Sequence, residues 1–160
     1  MNLGSIFKNS LMLPKKESLF KLNRVSMRDT MVYIIILLFI LFLPDMIQMI
    51  ISYTERQTEN LPSELYIVQV ILLYPLLIVF LMVAGVSLLA AIAIPIKNLL
   101  KRKLKYQQLW KMTAFALTIP ILIYLVLRLF DVSNWYINIL PIIFYLFLMS
   151  KMIMVYPKRQ

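Results

Sequence analysis

Residues 65–96 read LYIVQVILLYPLLIVFLMVAGVSLLAAIAIPI and contain no Asp, Glu, Lys or Arg. The hydrocarbon core of a bilayer is about 30 Å thick, and a helix needs about 20 predominantly apolar residues to cross it. At about 1.5 Å per residue this run would form a helix about 48 Å long, so it must tilt, bend or project beyond the core. The run therefore predicts a transmembrane helix that is longer than the thickness of the hydrocarbon core.

Three further apolar runs, residues 31–53, 112–130 and 135–156, are also long enough to span a bilayer. The chain is 62% hydrophobic with only 15% charged residues, whereas soluble domains are about 45–50% apolar. We therefore predict an all-α integral membrane four-helix bundle, with spans at about 31–53, 65–96, 112–130 and 135–156. Residues 1–30 are predicted to be a cytoplasmic amphipathic interfacial segment, and residues 157–160 a cytoplasmic tail.

Basic residues are distributed unequally between the predicted loops. Six precede the first run, six lie between the second and third runs, and three end the chain, while the loop 54–64 has only Arg56 and the turn after the third run has only Arg128 beside it. Short loops rich in Lys and Arg stay on the cytoplasmic side. The sequence therefore predicts a multi-pass membrane protein with both termini in the cytoplasm.

The N-terminal segment has helical periodicity before the first span. Leu3, Ile6, Phe7 and Leu11 share one helical face, and Lys8 lies away from it. This pattern favours one or two short helices in the cytoplasmic interface, held by apolar burial and by attraction of Lys to anionic lipid. A solvated tail with scattered apolar residues is the alternative.

Several function classes are disfavoured by composition. The chain has no Cys and no His, so disulfides, thiolate nucleophiles, the usual metal and haem ligands and the commonest general base are all missing. Only Asp45 is placed to act as a base within the spans, and an enzyme would also need a nucleophile and an orienting group. We therefore expect no enzyme activity, cofactor or metal. Nucleic-acid binding is not expected either, because the basic residues lie beside an anionic membrane.

Charges within spans are costly and usually pair or face water. Counted from the cytoplasmic side at about 1.5 Å per residue, Asp45 and Arg128 reach depths that agree to about 3 Å, so we predict an ion pair between spans one and three. Further polar residues converge on the same outer half of the bundle. The predicted intramembrane polar cluster is Asp45, Gln48, Ser52, Tyr66, Gln69, Tyr124, Arg128, Asn134 and Asn138. It is a hydrogen-bonded plug that fixes helix order, or an outward-facing pocket for a lipid headgroup, a sugar or a peptide segment, or a set of groups of which some merely face the interface.

The connector from Lys97 to Lys111 mixes dense positive charge with Leu, Tyr and Trp side chains. Aromatic rings and snorkelling Lys side chains favour the headgroup layer, so we expect the connector to lie on the cytoplasmic membrane surface. The predicted docking residues for anionic lipid or an acidic partner are Lys97, Lys101, Arg102, Lys103, Lys105 and Trp110. Small residues at Ser87-x-x-x-Ala91 and Ala114-x-x-x-Thr118 predict close packing of spans two and three, with a homodimer contact as the alternative.

Three short patterns carry a resemblance to a known family. They are Leu13-Pro14-Lys15-Lys16 after the amphipathic lead-in, Leu43-Pro44 in the first span, and the stretch from Tyr106-Gln107-Gln108-Leu109-Trp110 to Thr118-Ile119-Pro120. Together they resemble a family of uncharacterised Gram-positive multi-pass membrane proteins, some labelled maltodextrin utilisation proteins, which is distantly similar to Yip1-type proteins. The resemblance implies a bacterial plasma membrane and association with a transport system, but no agreed activity.

These observations favour a non-enzymatic accessory or regulatory subunit that packs against a larger membrane complex, such as a transporter. Small size, missing catalytic groups and basic interfacial segments support this hypothesis. The alternative is a small carrier or lipid-handling protein that binds substrate in the outer polar cluster. Homo-oligomerisation is left open by the sequence.

Overall fold

The structure is a computed structural model that describes residues 2–55, 69–129 and 135–158; within these ranges it leaves out the side chains of residues 52–55, 69–70, 129 and 135–138. All regular structure in the described ranges is helical, apart from one isolated antiparallel bridge between Arg102 and Lys158. The all-α prediction is therefore confirmed. The helices are α1 (Leu3–Leu11), α2 (Lys16–Asn23), α3 (Met27–Glu55), α4 (Tyr74–Phe80), α5 (Val86–Leu99), α6 (Tyr106–Ala116), α7 (Thr118–Leu129) and α8 (Trp135–Met154).

Three of the helical segments are long and apolar enough to cross a membrane: Met27–Ile51, Ile71–Leu99 and Tyr106–Arg128. The helix α8 has 20 residues, but its apolar part with described side chains, Ile139–Met154, is shorter. Membrane character is thus confirmed by three helices, and a fourth span remains a prediction. The helices α5 and α6 also extend beyond the predicted spans, because backbone hydrogen bonding continues past the apolar residues that define a span.

The helices are irregular near two of the prolines, Pro75 and Pro120. Wider π-helical turns at Gln69–Leu73 and Leu81–Gly85 flank α4, and Pro75 lies at its first turn. Pro120 has no N–H to donate to the carbonyl of Ala116, which is the last residue of α6. A turn at Leu117 therefore separates α6 from α7 within the third predicted span. The helices α3, α5 and α8 each contain a proline and remain continuous.

The helix α6 is the centre of the packing. Seven of its eleven residues are buried, among them Leu109, Ala114 and Phe115, and it contacts α2, α3, α5 and α8. Of the small residues expected to mediate packing, Ala114 and Thr118 are fully buried, whereas Ala91 is exposed. Close packing between α5 and α6 is confirmed, and Ala90 and Ala93, two further small residues of α5, are 0% and 1% exposed.

The two N-terminal helices pack onto the bundle. Ile6 and Ser10 of α1 are fully buried, and α1 contacts α2, α3 and α7. The ammonium group of Lys111 on α6 donates to the carbonyl oxygens of Asn23 and Val25, at 2.7 and 2.6 Å. The predicted short helices are present, but of the predicted apolar face only Ile6 is buried, while Leu3, Phe7 and Leu11 are 40%, 38% and 43% exposed. A purely interfacial location did not require these contacts.

We predict that the docking of α1 contributes to stability. Ile6→Ala removes a fully buried side chain and should lower the free energy of unfolding by about 2 kcal/mol or more. Leu11→Ala is the matched control, because Leu11 has the same number of carbon atoms and is 43% exposed. Thermal denaturation in a mild detergent measures both, and equal losses would contradict the packing of α1.

Candidate functional site

The predicted ion pair between Asp45 on α3 and Arg128 on α7 is present. Nη1 of Arg128 donates to Oδ2 of Asp45 at 2.7 Å, and Nη2 donates to Oδ1. A guanidinium fork that binds both carboxylate oxygens fixes orientation as well as distance. The pair therefore ties α3 to α7 within an apolar surrounding, where either charge alone would be uncompensated.

The surroundings of this pair are only partly enclosed. The side chains of Arg128 and Asp45 are 31% and 37% exposed, and Tyr74 and Tyr124 lie close enough to Arg128 to interact with it electrostatically. Gln48, three residues beyond Asp45, is exposed. The structure thus brings together three of the predicted cluster residues and adds Tyr74, which was missed because apolar residues surround it in the sequence.

Other predicted members of the polar cluster cannot be placed by their side chains. Ser52, Gln69 and Asn138 lie in helices, but their side chains are outside the described part of the chain, and Tyr66 and Asn134 are outside it altogether. The structural plug and the ligand pocket at this end therefore both stay predictions.

A second polar network lies inside the bundle and was not predicted. The hydroxyl of Tyr33 on α3 shares a hydrogen bond of 2.7 Å with that of Thr118 on α7. The Tyr145 hydroxyl lies 3.2 Å from that of Thr113 and donates to the Leu89 carbonyl oxygen at 3.1 Å. These bonds connect α3 with α7, and α8 with α5 and α6, so they involve five helices, and they satisfy hydroxyl groups in an apolar interior. The only sequence signal was Tyr and Thr within apolar runs, which does not specify partners.

An apolar cavity of about 280 Å³ opens beside this network. It lies where α7 and α8 carry prolines, and its lining includes Leu41, Leu89, Pro120, Tyr124, Pro141 and Tyr145. The two tyrosines place hydroxyl-bearing side chains at an otherwise hydrophobic wall. Such a cavity suits an acyl chain or another apolar group.

A basic pocket of about 480 Å³ lies at the junction of α5 and α6. Four of the predicted docking residues converge there, and no carboxylate is among the lining residues. The pocket is lined by Lys97, Arg102, Lys103, Leu104, Lys105 and Gln108. Lys101 is exposed but does not line it.

The local backbone explains why these cations converge. After α5 the backbone N–H of Lys101 donates to the carbonyl oxygen of Asn98 at 3.0 Å. The backbone N–H of Arg102 donates to the carbonyl oxygen of Lys97 at 3.1 Å. This is the Schellman pattern of a helix C-terminus, with Lys101 in the left-handed conformation at φ 50°. Glycine usually fills this position, since a Cβ there costs about 1–2 kcal/mol. The sharp reversal brings Arg102 and Lys103 back beside the last turn of α5.

Contacts with the C-terminal segment hold the connector in place. The amide of Lys103 donates to the Pro157 carbonyl oxygen at 3.3 Å, and the Arg102 guanidinium donates to the carbonyl oxygen of Tyr156. The connector is therefore a folded part of the bundle end, and Arg102 has a structural contact that was not expected.

The structure places Trp110 away from the surface where it was expected to anchor. Its side chain is 6% exposed, and the indole N–H donates to the Ser87 hydroxyl at 3.2 Å. The neighbouring Tyr106 hydroxyl donates to the Ser87 carbonyl oxygen, also at 3.2 Å. Trp110 therefore packs α6 against α5, and its expected contact with lipid or a partner is not available in this conformation.

We predict that Asp45 and Arg128 depend on each other energetically. Asp45→Asn and Arg128→Gln should each lower stability, because either leaves one charge without its partner. The double variant should recover part of the loss. A double-mutant cycle by thermal denaturation measures the coupling, and strictly additive losses would show that the pair contributes nothing.

Comparison with known proteins gives a family but no activity. The family model described as a protein of unknown function, DUF1189, matches residues 56–153. No curated protein and no solved structure matches the chain. The matched range includes Arg128, the basic pocket and most of α8, while Asp45 precedes it. Because the match covers more than half of the sequence, the chain belongs to the DUF1189 family.

Proposed function

We propose that this protein is a non-enzymatic accessory or regulatory subunit that packs laterally against a larger membrane complex, such as a transporter. In this proposal it spans a bacterial plasma membrane four times, with both termini in the cytoplasm. The resemblance to Gram-positive proteins labelled for maltodextrin utilisation, and more distantly to Yip1-type proteins, supports the choice of a transport complex. In this proposal the chain contributes contacts with its partner complex and catalyses no reaction.

The observation that carries the proposal is the organisation of the basic end of the bundle. The segments from the N-terminal helices, the connector and the C-terminus are held together by backbone and side-chain hydrogen bonds. Side chains such as Lys15, Lys16, Lys101 and Lys103 remain exposed on these segments. A rigid and mainly basic surface, in which Glu17 is an exposed acidic residue, loses little conformational entropy on docking.

The outer face of α4 and α5 supports lateral packing. Leu72, Leu76, Phe80 and Leu88 are each between 65% and 68% exposed. Their four- and eight-residue spacing places them on one side of the helical segment. Apolar side chains on α3, such as Ile47 and Ile50, are less exposed, with exposed fractions of 48% and 53%. The stripe formed by Leu72, Leu76, Phe80 and Leu88 is therefore more exposed than these side chains of α3, and a second membrane protein could cover it.

Co-purification tests the proposal. The tagged full-length chain, extracted from its native membrane in a mild detergent, should retain a larger membrane protein in fixed stoichiometry. The variant Leu76→Ala/Phe80→Ala should lose that partner, because it removes side chains at the centre of the stripe. The matched control Ile47→Ala/Ile50→Ala should keep it. Recovery of the chain without any larger protein, at native expression and in several detergents, would refute the subunit proposal.

The carrier alternative is favoured by one observation, the apolar cavity beside Pro120 and Pro141. A homo-oligomer that retains a stoichiometric apolar small molecule would support it. Ile121→Trp should then displace the molecule, because Ile121 lines the cavity and a larger ring would occupy it. Under the subunit proposal, by contrast, the Ile121→Trp variant should still co-purify with the larger membrane protein.

The topology can be tested separately, because the native chain has no Cys. Gln107→Cys, at an exposed position of α6, should resist a membrane-impermeant thiol reagent in intact cells, whereas Thr58→Cys should react. The asymmetry of basic residues is the physical reason. Permeabilised cells provide the control, in which Gln107→Cys should become reactive. Labelling of Gln107→Cys in sealed cells would reverse the proposed orientation.

A further inference from the structure

The basic pocket has features that a general docking surface does not need. Its four cationic residues surround a concave space of about 480 Å³ that no carboxylate lines. Cations that share a pocket repel one another, so their convergence is costly unless an anion is present. Elsewhere in the described ranges, Arg128 is paired with Asp45 and Arg28 with Asp29.

Two of the four cations are already engaged with the protein. Lys97 donates through Nζ to the Leu104 carbonyl oxygen at 3.2 Å, and Arg102 donates through Nη1 to the Tyr156 carbonyl oxygen. The Nε atom of Arg102 is nevertheless buried without a hydrogen-bond partner. These two residues therefore shape the wall of the pocket, while one donor of Arg102 remains unsatisfied.

The other two cations are free to bind a ligand. Lys103 and Lys105 are exposed, and their backbones are fixed by the bond from Lys103 to Pro157 and by the bond from the Lys105 amide to Oε1 of Gln108 at 2.9 Å. Lys105 also immediately precedes α6, so it lies at the N-terminal end of that helix. The positive end of this helix adds to the attraction for an anion at the same place.

The position of the pocket indicates which kind of molecule carries the anion that it binds. It lies between the end of one candidate span, Ile71–Leu99, and the start of the next, Tyr106–Arg128. This is the depth at which lipid phosphates lie, and the negative cytoplasmic leaflet attracts basic side chains near its surface. We infer that the pocket formed by Lys97, Arg102, Lys103 and Lys105 binds the phosphate of an anionic lipid headgroup.

This inference is independent of the proposed subunit function, since a chain that retains no partner can still bind lipid. In the test, native mass spectrometry follows the detergent-solubilised full chain during titration with phosphatidylglycerol or phosphatidylcholine. Both lipids carry a phosphate, but the choline group would meet the cations of the pocket. Phosphatidylglycerol should bind, phosphatidylcholine should bind much more weakly, and millimolar inorganic phosphate should not displace the lipid.

The decisive variant is Lys103→Gln/Lys105→Gln, which removes the two exposed cations without touching the contacts of Lys97 or Arg102. It should keep the native melting temperature and lose about tenfold or more in affinity for phosphatidylglycerol. Lys103→Arg/Lys105→Arg should retain binding. The matched control Lys15→Gln/Lys16→Gln removes the same charge from exposed positions outside the pocket and should change the affinity by less than about twofold.

Three outcomes would overturn the assignment. Equal losses in the pocket variant and the control would mean that diffuse surface charge attracts the lipid. Displacement of phosphatidylglycerol by inorganic phosphate would mean that the pocket is a site for a small soluble anion. Unchanged lipid binding in the pocket variant, combined with loss of a co-purifying protein, would assign the pocket to an acidic protein partner instead.

Discussion

Polar groups placed in an apolar medium must find partners within the protein, and the packing of this chain depends on that constraint. The Asp45–Arg128 pair and the hydroxyl bonds from Tyr33 to Thr118 and from Tyr145 to Thr113 all cross between helices. Apolar side chains gain little from leaving lipid for the interior of a bundle, because both surroundings are equally apolar. Hydrogen bonds between helices therefore select one arrangement among many that bury similar area.

The ion pair could be predicted from sequence because few alternatives existed. Asp45 and Arg128 were the only opposite charges expected at one depth, and helical rise alone places them level. The Tyr145–Thr113 bond could not be predicted in the same way, since several hydroxyl residues lie in the apolar runs and rotation of each helix decides which of them meet. Trp110 shows the same limit. Its aromatic ring suits both a headgroup layer and a protein interior, and the presence of Ser87 on the facing helix decided between them.

The basic connector shows what a charge pattern leaves undetermined. The concentration of Lys and Arg predicted a cytoplasmic surface, and the residues Lys97, Arg102, Lys103 and Lys105 were all selected. Their convergence around one pocket depends on a left-handed turn at Lys101, where no glycine signalled a turn. A side chain held in that conformation persists only where surrounding contacts over-determine it. Here the Schellman hydrogen bonds and the contacts with Tyr156 and Pro157 do so.

The basic pocket and the Asp45–Arg128 pair lie far apart along the helical segment Tyr106–Arg128. From Gln108, at the pocket, to Arg128 is about 30 Å of helix at about 1.5 Å per residue, which is close to the thickness of the hydrocarbon core. Residues so distant and without shared partners contribute additively to stability. The pocket and the ion pair therefore act at opposite ends of the span, and the break between α6 and α7 at Leu117 lies between them. The family match covers Arg128 and the pocket but begins after Asp45, so α3 completes the distal site from outside the matched range.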